Sequence, residues 1–551
     1  MPKITLEHVT KRWDKFYAVE DLNLVIEDNA FVTLLGPSGC GKTTTLRMIA
    51  GLETPTSGRI CIGNQVVFDS KAGINVPPNK RKVGFLFQNY ALWPNMTVYQ
   101  NIAFGLGNIK EPLPKIDLEA RRAAALLRAL ERPEDVVNTI RDCVDKATGK
   151  PDKNRALIRL IDRYELSMAG ARELMGYGLH ASTNPGCDAK ARREEKKKTI
   201  RTASERARAE GCELSPDFTW LKNGEPLRTV RKLSAEEIDL AVRRVARIVK
   251  IGMFMDRYPA ELSGGQQQRV AIARTLAPEP GVLFMDEPLS NLDAKLRLEM
   301  RTELQRLHLE TGSTFVYVTH DQMEAMTLAT KICLIDNGVL QQYDAPLQVY
   351  GSPANTFVAD FVGSPSINFI EAQGTQEGGQ IVLRLLGDHS CVFAPVQPLD
   401  LAQWYAAQDA ADRQTAEAEA LRARQKGYVE KGNKDTVFRC HFSSVEEPED
   451  NTGAEKALTD EELVLGVRPE FLEISEDGPL EGEVYSAMPT GMETTVRLRD
   501  GSFLLTGVVF GGVVYRIGQK IRFGFRGDGI LLFSRRNGRL ISRGSLLWML
   551  Q

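Results

Sequence analysis

The sequence lacks the long apolar runs and paired cysteines that mark membrane-spanning or secreted proteins. No apolar run approaches the roughly 20 residues that a membrane-spanning helix needs, and the opening residues, MPKITLEHV, contain no apolar signal core. The eight cysteines include no C-x-x-C pair, so neither a disulfide framework nor a zinc site is indicated. The net charge of −2 gives no reason to expect nucleic-acid binding driven by overall charge. These absences favour a cytoplasmic protein whose membrane link, if any, is made through a partner.

The most informative stretch fits the phosphate-binding pattern G-x-x-x-x-G-K-[ST]. An apolar segment, 30–35, is typical of a buried strand before it, and the spacing of Leu46 and Ile49 predicts a helix after it. Glycines let the backbone curl so that its N–H groups point at one anion, which the positive end of the helix also attracts. Lys42 would reach the β- and γ-phosphates of ATP, and the Thr43 hydroxyl would hold Mg²⁺. The predicted nucleotide-binding residues here are Gly36, Pro37, Ser38, Gly39, Cys40, Gly41, Lys42, Thr43 and Thr44.

Polar side chains stand at the ends of further apolar strands. They are Gln88, Asp286, Glu287 and His320. Because the ends of parallel strands share one edge of a sheet, we expect these side chains near the phosphates. Asp286, Gln88 and Thr43 are the predicted metal ligands. Glu287 would take a proton from water, while His320 and Gln88 would orient that water or, for His320, bind the γ-phosphate. The alternative for any one of them is a structural polar residue.

A second glycine-containing helix start lies at 262–266, with the sequence LSGGQ. Ser263, Gly264 and Gly265 lead into a helix, which makes a second anion-binding terminus. Since the chain already has one phosphate cradle, the second is best used on the ATP held by another copy, in a two-fold dimer. Gln266 completes this predicted trans site.

Trp13 is an aromatic residue in a segment, 10–17, that we predict to be a polar loop. It could stack on the adenine ring, or it could be a partly buried sheet residue, and its spacing does not separate the two.

The patterns divide the chain into regions. Alternating α/β patterns in 1–106 and 233–350 predict a nucleotide-binding domain. Between them, 107–232 is rich in helix-prone blocks, 118–130 and 154–175, and predicts an inserted helical module. Short strands in 351–551 predict a C-terminal β-barrel domain, interrupted by an insertion at about 398–455 that holds a helical block and an acidic loop at 446–461.

Together these motifs resemble those of the ATP-binding cassette (ABC) family. The phosphate loop, Gln88, LSGGQ, the strand ending in Asp286 and Glu287, the segment SNLD at 290–293, and His320 occur in the order that the family has. Within the family, the chain is similar to ATPase subunits of bacterial carbohydrate importers of the maltose and multiple-sugar type. The similar stretches include VTKRW at 9–13, YVTHDQ at 317–322, GSPSINF at 363–369 and LGVRPE at 465–470.

The resemblance implies a fold and residue roles. It implies an α/β P-loop NTPase core of the ABC ATPase type with a helical subdomain, followed by a β-rich, OB-like regulatory domain. It implies that Trp13 stacks on adenine, that Glu287 is the catalytic base, that Ser263 and Gly265 contact the γ-phosphate across the dimer, and that Asp293 links the two sites. Gln88 and the segment 89–97 would form the groove that receives a coupling helix from each permease.

The resemblance also implies a function and partners. The chain would hydrolyse ATP with Mg²⁺ at the cytoplasmic face of the membrane, as a homodimer bound to two permease subunits and served by an extracellular binding protein. A regulatory protein at the C-terminal domain is a further expected partner, and nucleic acid is not expected. Alternatives are an importer of polyamine, iron or glycerol phosphate, or a soluble cassette ATPase acting on nucleic acid or ribosomes.

Two insertions depart from the family pattern. Region 107–232 has no counterpart in the usual importer ATPase, and the second insertion lies within 398–455. A basic run at 190–208 favours a solvated helical face, with binding to an acidic partner, nucleic acid or lipid headgroups as the alternative. Because every catalytic motif is intact on both sides, we expect the insertions to leave ATPase activity in place.

Overall fold

The computed structural model describes the chain with a few gaps. The described residues are 2–108, 110–143, 152–377, 380–387, 389–426, 432–433, 437–445 and 459–548. The predicted acidic loop lies outside them except for residues 459–461. The chain forms two compact units, one made of Met1–Pro2 and Pro78–Phe315 and the other of Lys3–Pro77 and Val316–Gln551. Within the described ranges, no helix combines the length and apolar character needed to cross a bilayer.

The first hundred residues contain an antiparallel sheet and the strand–loop–helix segment around the phosphate loop. Their elements are β1 (Ile4–Trp13), β2 (Phe16–Ile26), β3 (Phe31–Leu35), α1 (Lys42–Ala50), β4 (Ser57–Ile62), β5 (Gln65–Asp69), β6 (Ile74–Asn75), β7 (Val83–Leu86) and α2 (Val98–Asn108). The sheet has the order β2-β1-β4-β5-β6. Every residue of β3 is buried, as its apolar run predicts.

The predicted polar loop at 10–17 is wrong, because β1 and β2 form one continuous hairpin there. Trp13 pairs with Phe16, leaving a two-residue turn. Asp14 in that turn has φ 51°, a left-handed conformation that aspartate tolerates better than most residues and that tight hairpins need. The β1–β2 hairpin therefore extends through residues whose polar composition is typical of a loop.

The first insertion, residues 107–232, contains helices and short strands. The elements are β8 (Lys110–Pro114), α3 (Leu118–Leu130), α4 (Pro133–Arg141), α5 (Lys153–Tyr164), α6 (Met168–Gly176), α7 (Pro185–Ala209), β9 (Glu213–Leu214), β10 (Trp220–Lys222), β11 (Glu225–Pro226) and β12 (Arg228–Lys232). Strands β8 and β12 pair antiparallel and bring the two ends of the insertion together. The basic run at 190–208 lies on α7, as the helical interpretation predicts.

The helix-prone block 154–175 is interrupted by a turn. Helix α5 ends where Glu165 adopts φ 55°, and α6 begins at the cap Ser167, whose hydroxyl accepts a hydrogen bond from the Gly170 N–H at 3.1 Å. A serine cap inside an otherwise helix-prone run is enough to divide it into two helices.

The first insertion has a hydrophobic core of its own. Buried side chains of α3, α4, α5 and α6 pack with Leu179 and Ala189, and every member of this cluster lies between residues 125 and 189. Outside that core the insertion is attached by polar contacts to the helix that follows it, Ala235–Ile248. The Ser167 hydroxyl donates to Glu236 at 3.0 Å, and the Met168 N–H donates to Asp239 at 2.6 Å.

The chain then returns to an α/β pattern. Its elements are α8 (Ala235–Ile248), α9 (Gly264–Leu276), β13 (Val282–Asp286), α10 (Ala294–Thr311), β14 (Thr314–Val318), α11 (Gln322–Leu328), β15 (Lys331–Asp336), β16 (Val339–Asp344), α12 (Pro346–Gly351) and α13 (Thr356–Phe361). Ser234 and Glu237 form a capping box at the start of α8. In one unit β13 runs parallel to β7, and in the other β15 runs parallel to β3.

The C-terminal region is β-rich. Its elements are β17 (Asn368–Glu377), β18 (Gln380–Leu385), β19 (His389–Pro395), α14 (Leu401–Lys426), β20 (Glu462–Val467), β21 (Leu472–Ile474), β22 (Leu480–Pro489), β23 (Glu493–Asp500), β24 (Phe503–Phe510), β25 (Lys520–Phe525), β26 (Ile530–Ser534) and β27 (Leu540–Trp548). Six of these strands close a barrel in the order β17-β18-β19-β27-β26-β20, and a five-stranded sheet joins it. The predicted fold class, an α/β core with a C-terminal β-barrel domain, is confirmed.

A substitution in the insertion core tests whether this module is a separate cooperative unit. Leu160→Ala removes a fully buried side chain of the 125–189 cluster and should destabilise the module by about 2–5 kcal/mol. Hydrogen exchange should then accelerate in α3–α6 and stay unchanged in β3 and β13. Leu309→Ala, at a position 80% exposed, is the matched control. Equal loss of protection across the whole chain would show that the insertion has no independent core.

Candidate functional site

The phosphate loop, residues 36–43, depends on glycine for its left-handed backbone and for its close approach to other backbone segments. Gly39 and Gly41 have φ 81° and 99°, in the left-handed region that glycine adopts without strain. A Cβ on Gly36 would lie 2.0 Å from the Ile335 carbonyl oxygen, and one on Gly41 would lie 2.2 Å from that of Ala18. Only glycine fits at these two positions, which supports a phosphate-binding loop and not a chance glycine-rich turn.

The side chain of Lys42 folds back over this loop. Its ammonium donates hydrogen bonds to the carbonyl oxygens of Gly36 at 2.9 Å and Pro37 at 2.7 Å. Lys42 is buried and is the first residue of α1, while Thr43 and Thr44 lie half-buried in the same first turn. Burial raises the pKa of the Cys40 thiol, and the nearby Lys42 ammonium opposes that rise. Cys40 is therefore a buried thiol whose charged form is disfavoured.

Trp13 and His320 belong to the same unit as the phosphate loop. Trp13 ends β1 with 46% of its surface exposed, and its ring lies nearly parallel to that of Phe16. An exposed ring at a strand end is available for stacking on a flat ligand, which a buried sheet residue would not be. His320 is exposed and follows β14 after Thr319, whose hydroxyl donates to the Glu324 carboxylate at 2.8 Å.

The other unit brings Gln88, Asp286 and Glu287 together at one sheet edge. Leu86 of β7 lies opposite Met285 of β13 in the parallel register, so the residues after both strands meet there. The Gln88 side-chain amide lies 3.3 Å from the Glu287 carboxylate, as a hydrogen-bond donor. Asp286 is buried, whereas Glu287 is partly exposed, with φ 45°. Such a left-handed glutamate is strained, and strain of this kind concentrates at functional sites.

Three residues that the sequence patterns did not single out position this edge. The Asn291 amide donates to the Gln88 carbonyl oxygen at 3.0 Å, and the Tyr90 hydroxyl donates to that of Pro288 at 3.3 Å. Arg274 donates to the carbonyl oxygens of Tyr90 and Ala91, both at 2.7 Å. Asn291 lies inside the SNLD segment, so that motif was the available signal for it. Tyr90 lies in the segment 89–97 that the resemblance assigned to the permease groove, whereas Arg274 carried no sequence signal of its own.

The LSGGQ segment opens α9 as predicted, and it also forms a capping box. The Ser263 hydroxyl accepts from the Gln266 N–H at 3.4 Å, and the Gln266 side chain accepts from the Ser263 N–H at 3.0 Å. Ser263 and Gly264 are exposed, while a Cβ on buried Gly265 would meet Leu296 at 2.7 Å. Asp293 caps α10 by accepting from the Leu296 N–H at 2.9 Å. The N–H groups of Gly264 and Gly265, at the first two positions of α9, have no carbonyl oxygen of a preceding helical turn to bond and point out of the start of the helix.

Each unit thus collects part of the predicted set. Trp13, the phosphate loop, Thr44 and His320 are in one, and Gln88, residues 263–266, Asp286, Glu287 and Asp293 are in the other.

The predicted metal ligands offer a hydroxyl, an amide oxygen and a carboxylate. These are the hard oxygen donors that Mg²⁺ prefers, so the donor set fits that ion.

Comparison with known proteins gives a consistent result. The sequence profile described as ABC transporter matches residues 19–168 and 183–290. The trehalose/maltose import ATP-binding protein MalK of Thermococcus litoralis is 36% identical over 392 residues, which cover 70% of this chain and 73% of that protein. The maltose/maltodextrin import ATP-binding protein MalK of Escherichia coli K12 is 34% identical, with 73% and 74% covered. The osmoprotective compounds uptake ATP-binding protein GgtA of Synechocystis is also 34% identical, with 70% and 71% covered.

These similarities extend well beyond the phosphate loop, since they cover more than two thirds of this chain and of each relative. They confirm the resemblance that the motifs indicated, and the chain belongs to the ABC transporter family.

Proposed function

We propose that this chain is the ATP-hydrolysing subunit of an importer that takes up a carbohydrate through separate membrane permeases. The observation that carries the proposal is the match to import ATP-binding proteins along about 70% of the chain, in a sequence that contains the phosphate loop, Gln88 and Glu287. ATP and Mg²⁺ are the expected ligands. The sequence motifs, the loop geometry and the names of the relatives all support this proposal.

In the proposed reaction, water attacks the γ-phosphorus, a new P–O bond forms, and the bond to ADP breaks. Lys42 and the loop N–H groups hold the phosphates, and Glu287 accepts the proton of the attacking water. Gln88, 3.3 Å from Glu287, orients that water or binds the metal through its amide oxygen. Asp286, Gln88 and Thr43 would hold Mg²⁺, which supplies positive charge to the phosphate oxygens when bound. His320 would hydrogen-bond the γ-phosphate.

Two copies would complete the sites. Ser263 and Gly264 are exposed at the start of α9, where the positive end of a helix favours an anion. Gly265 brings α9 close to α10, whose cap is Asp293. In a two-fold dimer this surface would face the γ-phosphate that the other copy holds, with Asp293 linking the two sites. Trp13 would stack on the adenine.

The membrane link would run through the segment after Gln88. Trp93 is 47% exposed and lies beside Phe104 with ring centroids 5.5 Å apart. Asn101 holds this segment by donating to the carbonyl oxygens of Trp93 and Met96 at 3.1 and 3.0 Å. An exposed aromatic pair on a rigid support suits the insertion of a permease helix. We therefore place the protein at the cytoplasmic face of the membrane, bound to two permeases that an extracellular binding protein serves.

The cargo is less constrained than the reaction. Two relatives are named for trehalose, maltose or maltodextrin import, which favours an oligosaccharide. The uptake of osmoprotective compounds named for GgtA makes a small organic solute a second candidate. The C-terminal barrel is proposed to receive a regulatory protein.

Replacement of the proposed base tests the hydrolytic assignment. Glu287→Gln should lower ATP turnover by about 100-fold or more, because a general base typically contributes 10²–10⁴-fold. ATP binding should persist, and size-exclusion chromatography with ATP should show a stable dimer. Glu299→Gln, an exposed carboxylate on α10, should turn over ATP normally. Normal turnover in Glu287→Gln would remove the base assignment.

Lys42→Ala tests the nucleotide site directly. Loss of a charge-assisted contact to phosphate should weaken binding of a fluorescent ATP analogue by about 10- to 100-fold. Lys71→Ala, at an exposed position in the same unit, should bind the analogue as the parent does. Equal affinities for all three proteins would show that the phosphates bind elsewhere.

Uptake measurements test the cargo. Cells that lose this chain should lose uptake of labelled trehalose or maltose and should recover it on complementation with the parent, but not with Glu287→Gln. Uptake of a polyamine and of glycerol phosphate serves as the control. Loss of either control solute with sugar uptake intact would reject the carbohydrate assignment.

A further inference from the structure

The second insertion, 398–455, contains a short segment that lies against the support of the phosphate loop. Residues Gly432 and Asn433 are described within it, and all of their hydrogen-bond partners below belong to the same compact unit as the loop. The side-chain amide of Asn433 donates two hydrogen bonds, to the carbonyl oxygens of Tyr17 and Asn337, each at 2.8 Å. Its backbone N–H donates to the carboxylate of Glu20.

The two carbonyl oxygens belong to the segments that hold the loop from behind. Gly338, in the turn after Asn337, donates its N–H to the Cys40 carbonyl oxygen at 3.0 Å. Its own carbonyl oxygen accepts from the Glu20 N–H at 2.9 Å. Asn433 is therefore one residue away from a direct backbone contact with the phosphate loop.

The Tyr17 carbonyl oxygen connects Asn433 to the proposed adenine platform, which is the ring of Trp13. Tyr17 is next to Phe16, whose ring stacks with Trp13, and one residue before Ala18, whose carbonyl oxygen forces position 41 to be glycine. A single amide thus joins the β1–β2 hairpin to the β15–β16 turn at the place where both contact the loop. Asparagine suits this position because its amide carries two N–H donors, one for each carbonyl oxygen.

The segment is fixed to the C-terminal barrel on both sides. Before it, α14 is held by ion pairs of Asp409 with Arg536 and of Asp412 with Arg539, the latter at 2.9 Å. After it, the Phe438 N–H donates to the Asn537 carbonyl oxygen, and the Phe438 carbonyl oxygen accepts from the Thr356 hydroxyl, both at 3.0 Å. A Cβ at position 432 would lie 2.2 Å from a Glu20 carboxylate oxygen, so the glycine permits the close approach.

We propose that Asn433 is a positioning residue for the nucleotide site, through which the second insertion sets the affinity of the phosphate loop and the adenine platform for ATP. It acts by reinforcing the spacing between β2 and the β15–β16 turn, which the Glu20–Gly338 hydrogen bond also holds. These two segments together determine where the loop lies. It touches neither phosphates nor reacting atoms, so its effect falls on nucleotide binding and not on the hydrolytic step. The inference rests on the proposed role of residues 36–43 in ATP binding.

The test is a set of variants whose Michaelis constants for ATP are compared. Asn433→Asp keeps the size of the side chain, removes both donors and places a carboxylate against two carbonyl oxygens. It should raise KM for ATP about three- to tenfold, with kcat at saturating ATP within about twofold of the parent. Equilibrium binding of a fluorescent ATP analogue should weaken by the same factor. Asn433→Ser, which keeps one short donor, should give a smaller increase.

Gln376→Ala is the matched control. Its amide donates to the Leu399 carbonyl oxygen at 2.6 Å and accepts from the Leu401 N–H at 2.8 Å, so it holds the start of the same insertion away from the loop. It should leave KM unchanged. An unchanged KM in folded Asn433→Asp, or an equal rise in the control, would overturn the inference. A parent protein that binds ATP but does not hydrolyse it would instead count against the proposed function, since analogue binding reads the Asn433 effect by itself.

Discussion

The phosphate loop depends on three backbone segments approaching more closely than any side chain would allow. The loop lies against β2 at Ala18 and against the end of β15 at Ile335, at distances that exclude a Cβ on Gly41 and Gly36. Close packing of this kind restrains the loop from outside. Lys42 then closes the loop from inside by binding the Gly36 and Pro37 carbonyl oxygens. The consequence is a cradle whose geometry is set before a ligand arrives, which lowers the entropic cost of binding.

Close support by neighbouring residues also positions Glu287 and Gln88, which are proposed to act on water. Glu287 has a strained backbone, and strain persists only where neighbours hold it. The Ser290 hydroxyl donates to the Glu287 carbonyl oxygen at 2.9 Å, while Asn291 fixes the backbone of Gln88. Both supporting residues come from the turn that follows β13. The carboxylate and the amide are therefore positioned by one short stretch of chain, so that a change in this turn would move both together.

The sequence offers signals for this candidate site where they are local and offers none where the partners are distant in sequence. A glycine pattern between a strand and a helix, and polar residues at strand ends, are properties of short windows, and they led to the phosphate loop, Gln88 and Glu287. The hairpin at Trp13 was missed because its composition is that of a loop, while its turn depends on the left-handed Asp14. Asn433 was missed for a different reason. Its partners are 416 and 96 residues away in sequence, and no local pattern reports such pairs.

The two insertions illustrate different ways of enlarging a fold. The first carries a buried cluster of its own and contacts α8 through polar groups. Its two ends pair in the short ribbon β8–β12 and so lie side by side. The second insertion is held differently, since arginines of the barrel bind its helix and its middle contacts the support of the phosphate loop. Because the second insertion contacts both the barrel and the support of the phosphate loop, a displacement of the barrel would either break those hydrogen bonds or move the loop. The first insertion is therefore a separately packed module, whereas the second connects the barrel to the support of the phosphate loop.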